Sequence, residues 1–403
     1  MPRADVLIIG AGPAGINAAY ALERAGIEYR IIERTYKLAP TWSSLYPSLR
    51  LNTSRFYSHL PGRKFPWHWG IFPTAKQYHQ HLVSWVAEQN YDIEYGIEVD
   101  RVAPRDDGLW QVESSEGIES YRAVIPATGV FDNPILPEID GMARFNGEIL
   151  HSRDFRHPAQ VRGKRAMVVG NGPSGTDIAV AASPEAAGGS VYLAIRTGVD
   201  LRPRYPYGVP RHAWMILGEY LPEPLCVWLQ TSTGAIKYNL EDFGVWESPP
   251  NTSTAVGYRG PELLNALREG QVQPVQHPIR FDDTGATLAD GRYLELDTVI
   301  MATGFFPVLH QYLDIEMQFS RETYYPETGC DWEIGPNGVR GWPLRDVSEH
   351  PNGRQIVGYP GLYLVGVFYK GRGAFYNMGV EAAIAAEQIK THLSQRLYSA
   401  VAT

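Results

Sequence analysis

Cysteine is nearly missing. The 403-residue chain has two, Cys226 and Cys330, far apart and in no Cys-x-x-Cys pair. That disfavours a disulfide framework, a zinc site and a redox-active dithiol, and it leaves both thiols as packing residues; no metal is expected. Blocks of basic residues are missing too, and the formal net charge is −8. A basic stripe for nucleic acid is therefore excluded. Long apolar runs are absent. The longest, at 165–170 and 362–368, are strand-length and far from the ~20 residues of a membrane span. A first strand starting at Asp5 leaves no room for a cleaved leader, so the expected location is the cytoplasm.

What the chain does have is glycine in two patterned places. Asp5–Glu33 reads as strand, tight turn, helix, strand, with Gly10, Gly12 and Gly15 in the turn, Pro13 and Ala14 opening the helix, and Gly26 stopping it. A second copy follows at Gly170, Gly172 and Gly175, with Pro173 matching Pro13 and Ser174 beside it. In such a turn the first glycine permits the bend. The second lets a pyrophosphate approach the backbone, and the third lets helix and strand pack closely. The phosphates then lie at the helix N-terminus, where free N–H groups favour negative charge. A lone Gly-x-Gly-x-x-Gly is weak evidence. Here each copy follows a strand, opens a helix and leads to a second strand, which makes both dinucleotide sites. The expected fold is α/β, with two doubly wound dinucleotide-binding domains, the second inserted in the first.

The residues after the second strands differ. Glu33, followed by Arg34, can accept hydrogen bonds from ribose hydroxyls, as the adenosine half of FAD or NAD requires. Arg196 and Thr197 hold the matching place in the second copy, where a guanidinium suits a 2′-phosphate; this points to NADPH, with Arg202 and Arg204 as helpers. The expected boundaries are 1–155 for the first part of the FAD domain and 156–304 for the NADPH domain. The latter carries an irregular insert at about 202–259 with one helix, Arg211–Leu221. Residues 305–403 return to the FAD domain and end in a long helix.

Phe145, Gly147, His151 and Phe155 stand just ahead of the second turn. Their pattern resembles the fingerprint of the flavin-containing monooxygenases, the class B flavoprotein monooxygenases. Phe155, where Baeyer–Villiger relatives usually carry Trp, leans toward the nitrogen- and sulfur-oxygenating and plant-type branch. The resemblance extends over nearly the whole chain. It maps Asn52 to the family's asparagine beside the flavin and Trp42 to a retained tryptophan. It maps Thr128–Gly129 and Thr303–Gly304 to the ends of two Ala-Thr-Gly strands. One departure is Ala39–Pro40, where the family commonly shows Gly-Gly.

The resemblance implies NADPH reduction of FAD, then oxygen transfer from a flavin C4a peroxide inside a water-free site. Asn52 would bridge that peroxide and the cofactor ribose. His151 would couple the domains rather than move a proton. The substrate is a small organic molecule, with O2 as co-substrate, and a homodimer is compatible. Aromatic loops at 64–72 and 368–377 could wall its pocket, with His68, Lys370 or Arg372 meeting a carboxylate. Nitrogen or sulfur oxygenation is the leading expectation. Baeyer–Villiger or oxidative-decarboxylation chemistry on a ketone or oxo acid is the alternative. A two-nucleotide reductase and a flavin module without turnover are the rivals.

Overall fold

Strand β1 (Val6–Ile9) is apolar and buried along its whole length. Successive side chains of a strand point to opposite faces. Val6 and Ile8 accordingly pack with Ile16 and Leu22 of the helix Pro13–Ala25, whereas Leu7 and Ile9 pack with Trp110, Val112 and Tyr121. The computed structural model describes residues 4–131, 133–196, 198–245, 255–259, 261–306, 309–315, 333–334, 339–340, 354–356, 358–366 and 373–401. Cys330, Thr197, Lys370 and Arg372 lie outside them.

The first sheet adds β2 (Tyr29–Glu33), β3 (Ile93–Tyr95) and β7 (Ala123–Pro126) in the order β3-β2-β1-β7, all parallel. Between β3 and β7 the chain makes an antiparallel meander: β4 (Val99–Pro104), β5 (Trp110–Ser114) and β6 (Gly117–Tyr121). The helix Ala75–Gln89 starts from a capping box, Thr74 with Gln77, and buries Leu82, Trp85 and Val86 on the same side as the first helix. Capping of this kind satisfies two of the helix's free N–H groups.

The second sheet repeats this plan. After β8 (Asn133–Pro134) come β9 (Glu148–His151), β10 (Ala166–Val169) and β11 (Val191–Ile195). In the insert, β12 (Asp200–Pro203) pairs in parallel with β13 (Ala255–Arg259). Then follow β14 (Val272–Gln276), a meander of β15 (Pro278–Phe281), β16 (Gly285–Leu288) and β17 (Tyr293–Glu295), and β18 (Thr298–Met301). The order is β14-β11-β10-β18-β9. Val168 faces the helix Pro173–Ala182, and Met167 and Val169 face the meander.

Both sheets are parallel as expected, with a difference in how they are covered. In each, helices cover one face and a three-stranded meander covers the other, because a meander also offers a face of alternate apolar residues. A second difference concerns the fingerprint. Residues 145–155, which read as a connector of the first domain, supply β9, the edge strand of the second sheet, paired Thr298↔Glu148 through Met301↔His151. Among its described residues the insert holds two α-helices, Arg211–Glu219 and Glu223–Gly234, where one is expected.

The chain crosses back after β18. Strand β19 (Phe305–Phe306) pairs antiparallel with β8, so the outward and return passes lie side by side. Residues 361–363 then extend the first sheet beside β7, through Val124 N–H to Gly361 O at 2.8 Å and Tyr363 N–H to Val124 O at 3.0 Å. The final helix, Ala374–Val401, buries Ala385 and Ile389 against the first helix.

Candidate active site

The three glycines of each turn have separate reasons to be glycine. Gly10 has φ +106°, and a Cβ there would meet Ala127 O at 2.8 Å. A Cβ on Gly15 would sit 2.0 Å from Gly10 O. Gly12 has an ordinary backbone, φ −81°, and a Cβ there would meet nothing within 4 Å. The second turn matches: Gly170 (φ +112°) against Ala302 O at 2.4 Å, Gly175 against Gly170 O at 1.8 Å, and Gly172 open. Gly12 and Gly172 therefore have no demand from the protein itself. Each stands at a helix N-terminus, led by Pro13 or Pro173, and leaves open the approach a pyrophosphate would take there. The residues present fit two dinucleotides.

Glu33 ends β2 buried. Its Oε2 accepts Ala11 N–H at 3.0 Å, and its Oε1 accepts the Thr35 N–H at 2.9 Å and hydroxyl at 3.0 Å. A carboxylate so held keeps lone pairs for ribose hydroxyls. Arg34 points outward, 3.6 Å from Glu98. Ala14 touches the return segment, since a Cβ on Gly366 would lie 2.4 Å from its methyl. Gly366 N–H also donates to the carboxylate of Glu381, which is fully buried.

Ala39 adopts a left-handed conformation, φ 47° and ψ 61°, and its N–H bonds Ala11 O at 3.1 Å. This is where the family's glycine pair departs to Ala-Pro, and the backbone keeps a glycine-like turn despite the methyl, a strain of about 1 kcal/mol. Trp42 then stacks tilted on Tyr78 at 4.8 Å and Phe375 at 5.1 Å. Phe65 and Trp69 join that box through Tyr78 and His81. The two aromatic loops thus meet. Arg55 pins one of them, donating to Pro66 O, Trp67 O and Gly70 O with its guanidinium 4.0 Å from the Trp67 ring. His68 is exposed at the edge.

Asn52 is exposed in the turn before the helix Arg55–Ser58. Its neighbour Thr53 lies against Gly373, where a Cβ would be 2.8 Å from Thr53 Oγ1. Gly366 at Ala14 and Gly373 at Thr53 thus place the first glycine turn and the Asn52 turn along one stretch of the return chain.

Each fingerprint residue has a structural task. Phe145 packs on Phe281 at 5.6 Å. Gly147 is flush against the Phe145 ring and Asp297 O, at 2.3 and 2.6 Å for an added Cβ. His151 is buried, its Nδ1 accepting Arg153 N–H at 3.1 Å and its Nε2 lying 3.1 Å from Gly304 O. Those partners put the proton on Nε2. Burial pushes the imidazole below its ordinary pKa, and its ring meets Phe305 edge-on at 4.8 Å. Phe155 is buried edge-on to Tyr46 at 5.6 Å, and Arg156 donates to Ser44 O at 2.6 Å. The fingerprint thus ties the second sheet to the chain just after Trp42. Thr303 Oγ1 donates to Ile135 O at 2.5 Å, Gly304 O accepts Ile135 N–H at 3.0 Å, and Thr128 Oγ1 is 3.2 Å from the Tyr312 hydroxyl; Gly129 follows at φ +73°. Ser174 lies in the first turn of the second helix.

Arg196 is exposed at the end of β11 and acts electrostatically on His277 at the end of β14. Arg204 is buried instead, stacked 4.7 Å from the Phe72 ring, and Arg202 lies near enough to Arg211 to disfavour its charge. The residues that sequence reasoning did not single out are Glu381 and His212. Each is a single side chain with no motif around it.

A model of the pyridine nucleotide-disulphide oxidoreductase family matches residues 7–210, just over half the chain. The chain belongs to that family. Lacking a Cys-x-x-Cys pair, this member has no sequence-adjacent dithiol. It is 28% identical over 360 residues to the probable indole-3-pyruvate monooxygenase YUCCA3 of Arabidopsis thaliana, covering 83% of this chain and 79% of that one. Its fold matches the flavin-containing monooxygenase from Stenotrophomonas maltophilia with a TM-score of 0.69 at 22% identity, over 98% of this chain and 100% of that one. It also matches OTEMO in complex with FAD and NADP, with a TM-score of 0.66 at 19% identity, over 99% and 87%. The resemblance to flavin-containing monooxygenases is borne out, and this family member is an oxidoreductase. No helix among the described residues is long and apolar enough to cross a membrane.

Four histidines, His81, His151, His212 and His277, are held below the ordinary imidazole pKa chiefly by burial, His212 down to about 4. In the unfolded chain they take a proton near pH 6.5. Below that pH the unfolded state binds more protons, so stability falls as pH drops from 6.5 toward 4. His212 alone contributes roughly 2–3 kcal/mol of that loss. Thermal unfolding at pH 7.5 and pH 5 checks this, with a clearly lower midpoint expected at pH 5.

Proposed function

We propose that this protein is an FAD- and NADPH-dependent monooxygenase whose substrate is a small carbonyl compound, an aromatic 2-oxo acid first. The observation that carries the reading is the pair of open glycines, Gly12 and Gly172, each at a helix N-terminus in its own sheet. The solved relative named with FAD and NADP supports the cofactor pair. Amine or sulfide oxygenation is the first expectation from Phe155, but the relatives named indole-3-pyruvate monooxygenases favour the oxo-acid alternative.

Bound flavin, once reduced by the nicotinamide, supplies oxygen activation. The chain's own residues do the rest. The first glycine turn and Glu33 hold the flavin's diphosphate and ribose. The second turn and Arg196 hold the nicotinamide nucleotide. Asn52 offers a carboxamide donor and acceptor to the oxygen-bearing centre. His151, with both ring nitrogens occupied, holds the end of β9 against the crossover at Gly304 and Phe305. The aromatic box around Tyr78 keeps water from that wall. The overall reaction converts R–CO–COOH, O2, NADPH and a proton into R–COOH, CO2, NADP+ and water.

The test is to supply phenylpyruvate to the FAD-loaded protein with NADPH in air. Release of phenylacetate and CO2, with hydrogen peroxide suppressed, supports the reading. NADPH consumption yielding only peroxide, whatever oxo acid is present, sinks it. Arg196→Ala should raise the apparent KM for NADPH about tenfold or more, as loss of a charged phosphate contact does, and leave that for NADH nearly unchanged. Equal effects on both would remove Arg196 from the nucleotide site.

A further inference from the structure

The second domain reaches into the Asn52 turn at one point. His212 stands at the start of the insert helix Arg211–Glu219, and its Nδ1 accepts the Ser54 N–H at 3.3 Å, two residues past Asn52. Its ring meets Tyr57 edge-on at 5.3 Å, and Tyr57 meets Tyr376 edge-on at 5.4 Å. Tyr376 lies three residues past Gly373, which rests on Thr53. Three parts of the chain that are distant in sequence converge here: the Asn52 turn, the insert helix and the start of the last helix.

The hydrogen bond decides what His212 can offer. An imidazole whose Nδ1 accepts an amide N–H carries its proton on Nε2. Burial, with the neighbouring Arg211, keeps the ring neutral at working pH. Nε2 makes no hydrogen bond among the described residues. His212 is therefore one neutral N–H donor, with Nδ1 anchored on the turn that follows Asn52 and Nε2–H on the other side of the ring. Arg211 places a positive charge in the wall around the ring. A donor in such a wall suits an acceptor oxygen and rejects an ammonium group.

We infer that His212 is a specificity-determining residue whose Nε2–H binds an acceptor oxygen, carbonyl or carboxylate, of the substrate at the Asn52 turn. This rests on the monooxygenase reading above. The same donor chemistry would also suit the carboxamide of the nicotinamide, and the experiment separates the two.

The FAD-loaded protein is titrated anaerobically and read by the flavin difference spectrum. The probes are phenylpyruvate, thioanisole, which has no acceptor oxygen, and NADP+. His212→Phe keeps a ring against Tyr57 and removes the donor. It is expected to raise the half-saturating concentration of phenylpyruvate about tenfold, the effect of one hydrogen bond to a charged group. Thioanisole and NADP+ should keep their values, and His212→Gln, which restores an N–H, should recover most of the loss. Equal shifts for phenylpyruvate and thioanisole would overturn the proposal, as would a shift confined to NADP+. No shift in His212→Phe, with phenylpyruvate bound normally by the wild type, overturns it alone. A wild type that neither binds nor consumes phenylpyruvate overturns the functional reading and this proposal together.

Discussion

Gly12→Val is expected to give a folded protein that does not retain FAD, whereas Gly15→Ala is expected to prevent the first domain from folding. The larger side chain is the milder change because of what surrounds each site. At Gly12 nothing of the protein lies within 4 Å of an added Cβ and the backbone is ordinary, so valine costs the fold little and fills the approach of the pyrophosphate. At Gly15 a Cβ would fall 2.0 Å from Gly10 O, with Ile8 at 3.3 Å. That oxygen is backbone and cannot rotate away. The penalty should exceed the ~1–3 kcal/mol of ordinary overpacking. Circular dichroism and the flavin absorbance of purified protein check both. A Gly12→Val protein that keeps stoichiometric FAD would remove the first turn from the flavin site. Gly172→Val is expected to keep FAD and lose reduction by NADPH, which separates the two turns.

Asn52→Ala is expected to keep FAD and its reduction by NADPH, and to lose oxygenated product by about 100- to 1,000-fold. That is the usual scale for deleting a fixed donor at a reacting centre. The electrons should appear instead as hydrogen peroxide, close to one per NADPH. Unchanged coupling would remove Asn52 from the reacting centre. The prediction rests on Asn52 being exposed in a turn that Thr53, Ser54 and Ser58 hold in place, through Gly373, His212 and the Ser58 hydroxyl on Thr53 O at 3.0 Å.

Much of this was legible because the relevant signals are local. Both strand–turn–helix units declare themselves through glycine spacing, and the geometry gives each glycine a distinct reason. The helix Ala75–Gln89 is announced by its Thr74–Gln77 box and apolar stripe. Other features were hidden because they depend on distant partners. Strand β9 reads as a connector, since only its pairing with β18 shows that Glu148–His151 is an edge strand. The helix Glu223–Gly234 begins behind Pro222 in a proline-rich stretch that suggests irregular chain. Ala39 carries a left-handed turn without being glycine. His212 has no neighbours in sequence to mark it, and its meaning comes from an amide 158 residues away.

The paired passes between the domains have a mechanical consequence. Strands β8 and β19, with Ile135 N–H on Gly304 O and Phe131 edge-on to Phe305 at 5.2 Å, form one two-stranded ribbon rather than two separate tethers. Such a ribbon resists stretching and shear along its hydrogen-bonded length, but two-stranded ribbons take up twist readily. A displacement of one pass is therefore carried directly to the other, and the ends of the two Ala-Thr-Gly strands, joined through Ile135 and Gly304, move as one piece.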